Sequence, residues 1–379
     1  MAANEERSAE AAEGAMDADD CVNVEYWTKL ADGRIECRLC PRFCHMRAGQ
    51  RGLCFVRRAR EDGEGMELTG YGRSTGFCID PIEKKPLNHF LPGSSVLSFG
   101  TAGCNLACAF CQNWDISKSR ETARLSAVAQ PETIARAAEK LGCMSVAYTY
   151  NDPTIFLEYA VDTAEACRAR GIKNVAVTAG FICEEPRKRL FAAMDAANVD
   201  LKAFTERFYE KRCAGKLAPV LETLKYLIHE TSVWTEITTL LIPDENDSEE
   251  ELDALTQWVA KELTPDVPLH FTAFHPDYHM LDTAPTPPRT LQRARTIAIE
   301  NGLHHVYVGN VRDPAREATL CATCGTRCIG RDRYEITEYR LDAAGRCPGC
   351  GAKMAGVFAM KPGTWGSRRM PVAIERYAA

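Results

Sequence analysis

The sequence predicts an α/β fold: a full or partial TIM-type (βα) barrel carrying a small cysteine-bearing module at each end. Three observations lead there. Short β-branched or apolar runs alternate with stretches whose apolar residues recur near every 3.6 positions. Prolines stand where those helices would begin and glycines where they would end. Cysteines cluster outside the alternating region on both sides, and once inside it.

In chain order, buried strands are expected at 96–100, 146–150, 175–178, 199–204, 233–242, 269–274 and 306–308. Helices are expected between them at 131–141, 153–170, 185–197, 219–230, 248–263 and 288–301. Pro131, Pro153 and Pro219 suit first-turn positions, while Gly171 and Gly302 suit helix ends. Repeated βα units imply a parallel sheet covered by helices, and about seven strands suit a full or partial barrel. An open doubly wound sheet would also fit the alternation, but no G-x-G-x-x-G follows a strand. The expected boundaries are a disordered acidic tail at 1–20, an N-terminal cysteine module at 21–95, the barrel at 96–311, and a zinc-ribbon-like or rubredoxin-like module with its tail at 312–379. No internal repeat is visible.

Composition narrows the function classes. Of 379 residues, 45% are hydrophobic and 26% charged, an ordinary globular balance. The net charge of -6 is matched by the first 20 residues, where seven carboxylates face Arg7 alone. That tail has little to bury, so disorder is expected. The rest is near neutral without a basic stripe, which argues against nucleic-acid binding. Apolar runs such as 237–243 are too short to span a membrane, and no signal layout is seen, so a cytoplasmic location is expected. In that compartment the 18 cysteines point to metal or redox chemistry rather than disulfides.

The central group is Cys104-x3-Cys108-x2-Cys111, directly after the first expected barrel strand, at the end where barrel active sites form. Three thiolates can hold three corners of a cubane cluster and leave the fourth iron open to a chelating ligand. Structural zinc normally takes four ligands. The spacing, the position and the aromatic Phe110 before the last cysteine resemble the radical S-adenosylmethionine (SAM) superfamily. Further stretches are Ile82-Glu83-Lys84-Lys85-Pro86-Leu87, Gln112-Asn113-Trp114-Asp115 and Tyr148-Thr149-Tyr150-Asn151-Asp152-Pro153. They resemble the AmmeMemoRadiSam system radical SAM enzymes, relatives of the pyruvate formate-lyase activating enzymes, over about 37–350. The resemblance implies a [4Fe-4S] cluster, SAM bound to its open iron, reductive cleavage to a 5'-deoxyadenosyl radical, and hydrogen abstraction from a substrate, a protein or peptide among the candidates. It also implies an electron donor such as flavodoxin or ferredoxin, and work alongside Memo-like and AMMECR-like proteins.

Residue by residue, the resemblance implies that the acidic group at Asn151-Asp152 receives SAM's amino group, with Asp152 where the family usually has Glu. Thr178-Ala179-Gly180 stands where Thr-Asn-Gly is commoner, so Thr178 and Gly180 are expected near SAM. Asp200-Leu201-Lys202 matches the D-L-K that contacts ribose and carboxylate in the activating enzymes. Strand alternation puts Asp200 and Lys202 on one face. The blander readings are a helix-opening Asp-Pro pair at Asp152 and a structural Asp200–Lys202 ion pair. Glu236, Thr238, His270, Phe274, His275, Tyr307 and Asn310 on late strands are candidate cavity residues. No proton or hydrogen-atom donor is assigned.

Two more cysteine groups flank the barrel. Cys321-x2-Cys324 and Cys347-x2-Cys350 are paired C-x2-C-G knuckles with a hairpin strand expected at 334–341, the pattern of a four-sulfur zinc or iron site; Cys328 is spare. Cys37, Cys40, Cys44 and Cys54, with Cys40-Pro41-Arg42 and Gly49-Gln50-Arg51-Gly52 in the resemblance, are expected to hold zinc or an auxiliary iron–sulfur cluster. Two functions compete with the leading one. A glycyl-radical activase would draw hydrogen from a partner's backbone glycine, and a zinc-binding scaffold would be non-catalytic.

Overall fold

The computed structural model describes residues 21–120 and 127–378. The expected acidic tail at 1–20 lies outside the described residues. The body is one nine-stranded sheet. In chain order its strands are β1 (Phe77–Pro81), β2 (Ser95–Phe99), β3 (Ser145–Tyr148), β4 (Lys173–Thr178), β5 (Ala196–Asp200), β6 (Trp234–Leu241), β7 (Leu269–Ala273), β8 (Val306–Gly309) and β9 (Met370–Val372). The spatial order is β8-β7-β6-β5-β4-β3-β2-β1-β9. Neighbours from β2 to β8 pair in parallel, while β1 and β9 add two antiparallel strands at one edge. Strands β8 and β9 stand at opposite edges and are not paired, so the barrel is partial rather than full.

Helices α1 (Pro131–Lys140), α2 (Leu157–Arg168), α3 (Glu184–Ala192), α4 (Ala218–Glu230), α5 (Glu249–Trp258) and α6 (Pro288–Glu300) connect the parallel strands. Every residue of β2, β3 and β7 is buried, as parallel strands must be when both faces are covered. Helix α1 turns Ile134, Ala135, Ala137 and Ala138 inward and leaves Lys140 in the last turn, where a cation suits the dipole. All seven expected parallel strands exist, with one shifted. The strand expected at 199–204 begins at Ala196 and stops at Asp200, and the helix expected to 197 ends at Ala192. Local propensity favours helix through the alanine-rich 192–197, but pairing of Ala196 with Val175 and of Asp200 with Thr238 wins. The helix expected from 153 is a 3-10 turn, Pro153–Phe156, before α2 begins.

The flanking modules dock firmly. Two small three-stranded sheets carry the N-terminal cysteines. Fully buried Arg57 anchors them to α2 through a two-pronged bond to Glu158 at 2.5 and 3.1 Å and a bond to the Ile155 carbonyl at 2.8 Å. The C-terminal sheet comprises Thr319–Leu320, Arg327–Asp332 and Glu335–Tyr339. Arg331, 1% exposed, reaches from it into the body to donate to Asn88 O at 2.6 Å. After this sheet the chain returns as β9, and the turn Ile374–Tyr377 packs on α1. Strands β1 and β9 thus join the main sheet from outside the expected 96–311. Among the described residues no helix is long and apolar enough to cross a membrane.

Candidate functional site

The C-terminal ends of the parallel strands open on a cavity of about 440 Å³. Cys104, Cys108 and Cys111 line it, on the loop that leaves β2. That loop is held from both sides. Asn151 donates to Thr101 O at 2.8 Å, Thr101 Oγ1 at 3.0 Å and Gly103 O at 2.9 Å, and accepts from Thr101 N at 3.2 Å. Lys118 donates to Leu106 O at 2.8 Å, and Asn105 to Phe181 O at 2.8 Å. Gly103 takes φ +85°, and a Cβ there would stand 2.0 Å from Cys54 O, so only glycine fits. Phe110 lines the cavity and packs on Phe208 with ring centroids 5.6 Å apart.

The other expected residues gather around the same space. Asp152, Thr178, Asp200 and Lys202 line the cavity together with Asn151. The Asp152 carboxylate caps the Pro153–Phe156 turn through Thr154 N at 2.9 Å, and also accepts from Thr178 Oγ1 and from Ala179 N at 2.8 Å. Gly180 stands behind this wall at φ +65°, with Thr178 Oγ1 accepting from its N–H at 3.0 Å. Because β5 ends at Asp200, Lys202 lies past the strand and strand alternation does not bring the two side chains together. The turn does: Lys202 Nζ sits 2.5 Å from Asp200 Oδ2, while its N–H donates to Tyr209 OH at 3.0 Å. Burial would depress the Lys202 ammonium, yet Asp200 and the Cys108 sulfur outweigh it and hold the pKa above the ordinary lysine value.

Several residues at the site carry no sequence expectation. Lys85, Tyr150 and Lys84 form one wall around buried Asp80, with contacts of 2.7, 3.0 and 3.0 Å. Burial pulls the Lys85 ammonium down to about 8 against the pull of Asp80. Burial alone would raise Asp80, but Lys85 and Lys84 hold it at about 2. The Lys-Lys pair in 82–87 was the available signal. Cys213 lies against Cys108, and its hydrogen bond is the main cause that lowers the Cys108 thiol, whereas burial pushes Cys104 up to about 12. A neighbouring bay shares Lys84 and Asn310 with the cavity and contains Glu83, His270 and Arg331. In it Glu83 Oε2 and Arg331 Nε have no hydrogen-bond partner among the described residues, while Arg331 Nε stands 3.9 Å from Glu83 Oε1 as an ion pair.

Of the late-strand candidates, Thr238 and Asn310 line the cavity and His270 the bay. Glu236 is instead a core anchor, accepting from His270 at 2.7 Å and from the N–H groups of Asn88 and His89 at 2.9 and 2.7 Å. Tyr307 bonds His89 and Thr319 in the core, Phe274 is buried, and exposed His275 lines neither space.

The radical SAM superfamily model matches residues 99–255, the stretch from the end of β2 into α5 that supplies most of this cavity's lining. An uncharacterized protein of Methanocaldococcus jannaschii is 41% identical over 331 residues, covering 87% of this chain and 97% of its own. The chain belongs to the radical SAM superfamily. Among solved structures, a domain of a pyruvate-formate lyase-activating enzyme from Bacteroides vulgatus is 17% identical, with TM-score 0.39, covering 44% of this chain and 99% of its own. A radical SAM methyltransferase from Sphaerobacter thermophilus is 14% identical, with TM-score 0.46, covering 76% of this chain and 77% of its own. This radical SAM chain is therefore an enzyme whose cofactors are a [4Fe-4S] cluster and SAM, and whose chemistry begins with reductive cleavage of SAM.

The donor set suits that cluster. Among the described residues three cysteines border the cavity, which matches three held corners and one open iron. The C-terminal knuckles have a different geometry. Cys321 and Cys350 sulfurs lie 3.7 Å apart, those of Cys324 and Cys347 3.6 Å, and all four fall within 4.8 Å of one another. A tetrahedron of sulfurs about 2.3 Å from one ion has edges of about 3.8 Å, so this is a second candidate metal site. Buried Cys328 stays outside it, its thiol bonded to Thr326 O.

Proposed function

We propose that the enzyme abstracts a hydrogen atom from a substrate held between the cysteine loop and the Glu83–Arg331 bay, a protein or peptide being the class favoured. The observation that carries this is the gathering of Cys104, Cys108 and Cys111 with Asp152, Thr178, Asp200 and Lys202 around one cavity. The triad would hold the cluster, which when bound supplies the electron that cleaves SAM to methionine and a 5'-deoxyadenosyl radical. The chain's own residues bind, orient and shield. Lys202, kept charged by Asp200, is suited to SAM's carboxylate, and Asp200 to the ribose hydroxyls. Asn151 keeps the loop in register. Asp152 offers its remaining acceptor capacity to the amino group, with Thr178 and Gly180 shaping the wall behind it. Phe110 covers the triad and excludes water.

The finer assignments belong to the same reading. The chain is taken as an AmmeMemoRadiSam-type enzyme working with Memo-like and AMMECR-like proteins in the cytoplasm, reduced by a flavodoxin or ferredoxin. Zinc at Cys321, Cys324, Cys347 and Cys350 would hold the C-terminal ribbon against the barrel, with the N-terminal cysteines in a module that precedes β1. The sulfur spacing supports a single four-coordinate ion there.

Anaerobic reconstitution, addition of SAM and dithionite, and measurement of 5'-deoxyadenosine tests the reading. The native chain is expected to form it and Cys104→Ala to form none. A fully iron-loaded native chain that forms none would overturn the reading in favour of a zinc-binding scaffold.

A further inference from the structure

The three cysteine groups fall into two geometries. At the C-terminal knuckles the sulfurs close to 3.6 and 3.7 Å, as around a single ion. Among the described residues, that is the group of three or more metal-ligating side chains whose ligand atoms all lie within 4.8 Å of one another. Cys37, Cys40, Cys44 and Cys54 do not close so tightly. All four instead border one small cavity walled by Leu39, Met46 and Ile155. Four thiolates about 2.3 Å from one zinc leave no space between them. Four thiolates that each hold one corner of a cubane stand farther apart around a central volume. The N-terminal quartet, like the triad, lines a cavity without its sulfurs all closing to 4.8 Å, which fits the second arrangement better than the first.

We infer that Cys37, Cys40, Cys44 and Cys54 hold a fully ligated [4Fe-4S] cluster rather than zinc. The surroundings suit a buried anionic centre. Apolar side chains exclude water, while Arg42 and Arg57 line the same cavity, the Arg57 charge being paired with Glu158. The site also abuts the triad loop. Arg42 donates to the Asn105 carbonyl, between Cys104 and Cys108, and Cys54 O lies where any side chain on Gly103 would have to stand. A single backbone segment therefore separates the two cysteine sites. The N-terminal cluster stands where it can take one electron from an external iron–sulfur or flavin donor and pass one on to the triad's cluster, with no bond made or broken.

Metal and sulfide counts on the whole reconstituted chain test this without relying on turnover. About eight irons, about eight acid-labile sulfides and about one zinc per chain are expected. About four irons with about two zincs, or about four irons with the N-terminal thiols free to alkylation, would overturn it. The triple variant Cys104→Ala, Cys108→Ala, Cys111→Ala separates this inference from the catalytic reading. It should keep about four irons and a reducible four-iron electron paramagnetic resonance signal, and should lose both on adding Cys40→Ser and Cys54→Ser. A folded triple variant without iron would refute the assignment even if the native enzyme cleaves SAM.

Discussion

Asn151 Nδ2 donates to Gly103 O at 2.9 Å, tying the end of β3 to the residue just before the first cluster cysteine. The same amide group also holds Thr101 through three further bonds, so one buried side chain sets the path of the loop that carries all three thiols. Asn151→Ala would strand several buried backbone groups. We expect a loss of about 2–3 kcal/mol in urea unfolding, with iron content after reconstitution falling in parallel. Full iron retention would show that the loop holds its path without this amide.

Gly103→Ala places a methyl group on the Cys54 carbonyl in a left-handed backbone region. The clash must move either the N-terminal module or the triad. Destabilisation of about 3 kcal/mol or more is expected, read as a lowered melting temperature together with poor iron incorporation. A variant as stable as the native chain would contradict the described contact.

Lys202→Met removes the cation beside Asp200 while keeping most of the side-chain volume. On the reading above, SAM affinity should weaken at least about tenfold, the equivalent of about 1.4 kcal/mol, with iron content unchanged. A stability loss with unaltered SAM binding would mark the pair as structural. Lys202→Arg should restore part of the binding through its retained charge.

Acid should loosen the joint between barrel and C-terminal module. Burial lowers His89 to about 3 and His305 to about 4, and their rings meet tilted with centroids 4.5 Å apart. The unfolded chain therefore binds more protons than the native one between the ordinary histidine value and these lowered values, so stability falls as pH falls through that window. From pH 6.5 to 5 each imidazole would contribute a loss of about 2 kcal/mol. Denaturant titrations at both pH values check this, and His305→Asn should flatten the slope.

Cys347→Ser opens the knuckle site. We expect loss of one metal equivalent, easier proteolysis within 312–369, and retained iron at the triad. Loss of iron together with the zinc would mean that the two sites fold as one unit.

Much of this architecture is legible in the chain. The seven parallel strands follow from β-branched runs and 3.6-residue periodicity, because each parallel strand is buried on both faces and each covering helix on one. The triad's place after β2 follows from spacing within a single loop. Where reading failed, a distant pairing had overruled local preference, as when Val175 drew Ala196 out of an expected helix. Lys85 escaped notice because its meaning depends on Asp80 and Tyr150, whose side chains meet it only across the end of the sheet.

By itself, then, the sequence determined the βα order, the three-thiolate loop and the paired knuckles, all properties of short spacings and local periodicity. Tertiary structure alone decided that β8 and β9 end the sheet as unpaired edges, that Arg331 enters the neighbouring bay from the far module, and that Cys54 presses on Gly103 beside the triad. These depend on packing between segments tens to hundreds of residues apart, where hydrogen-bond satisfaction and close contact select one arrangement that no local pattern records.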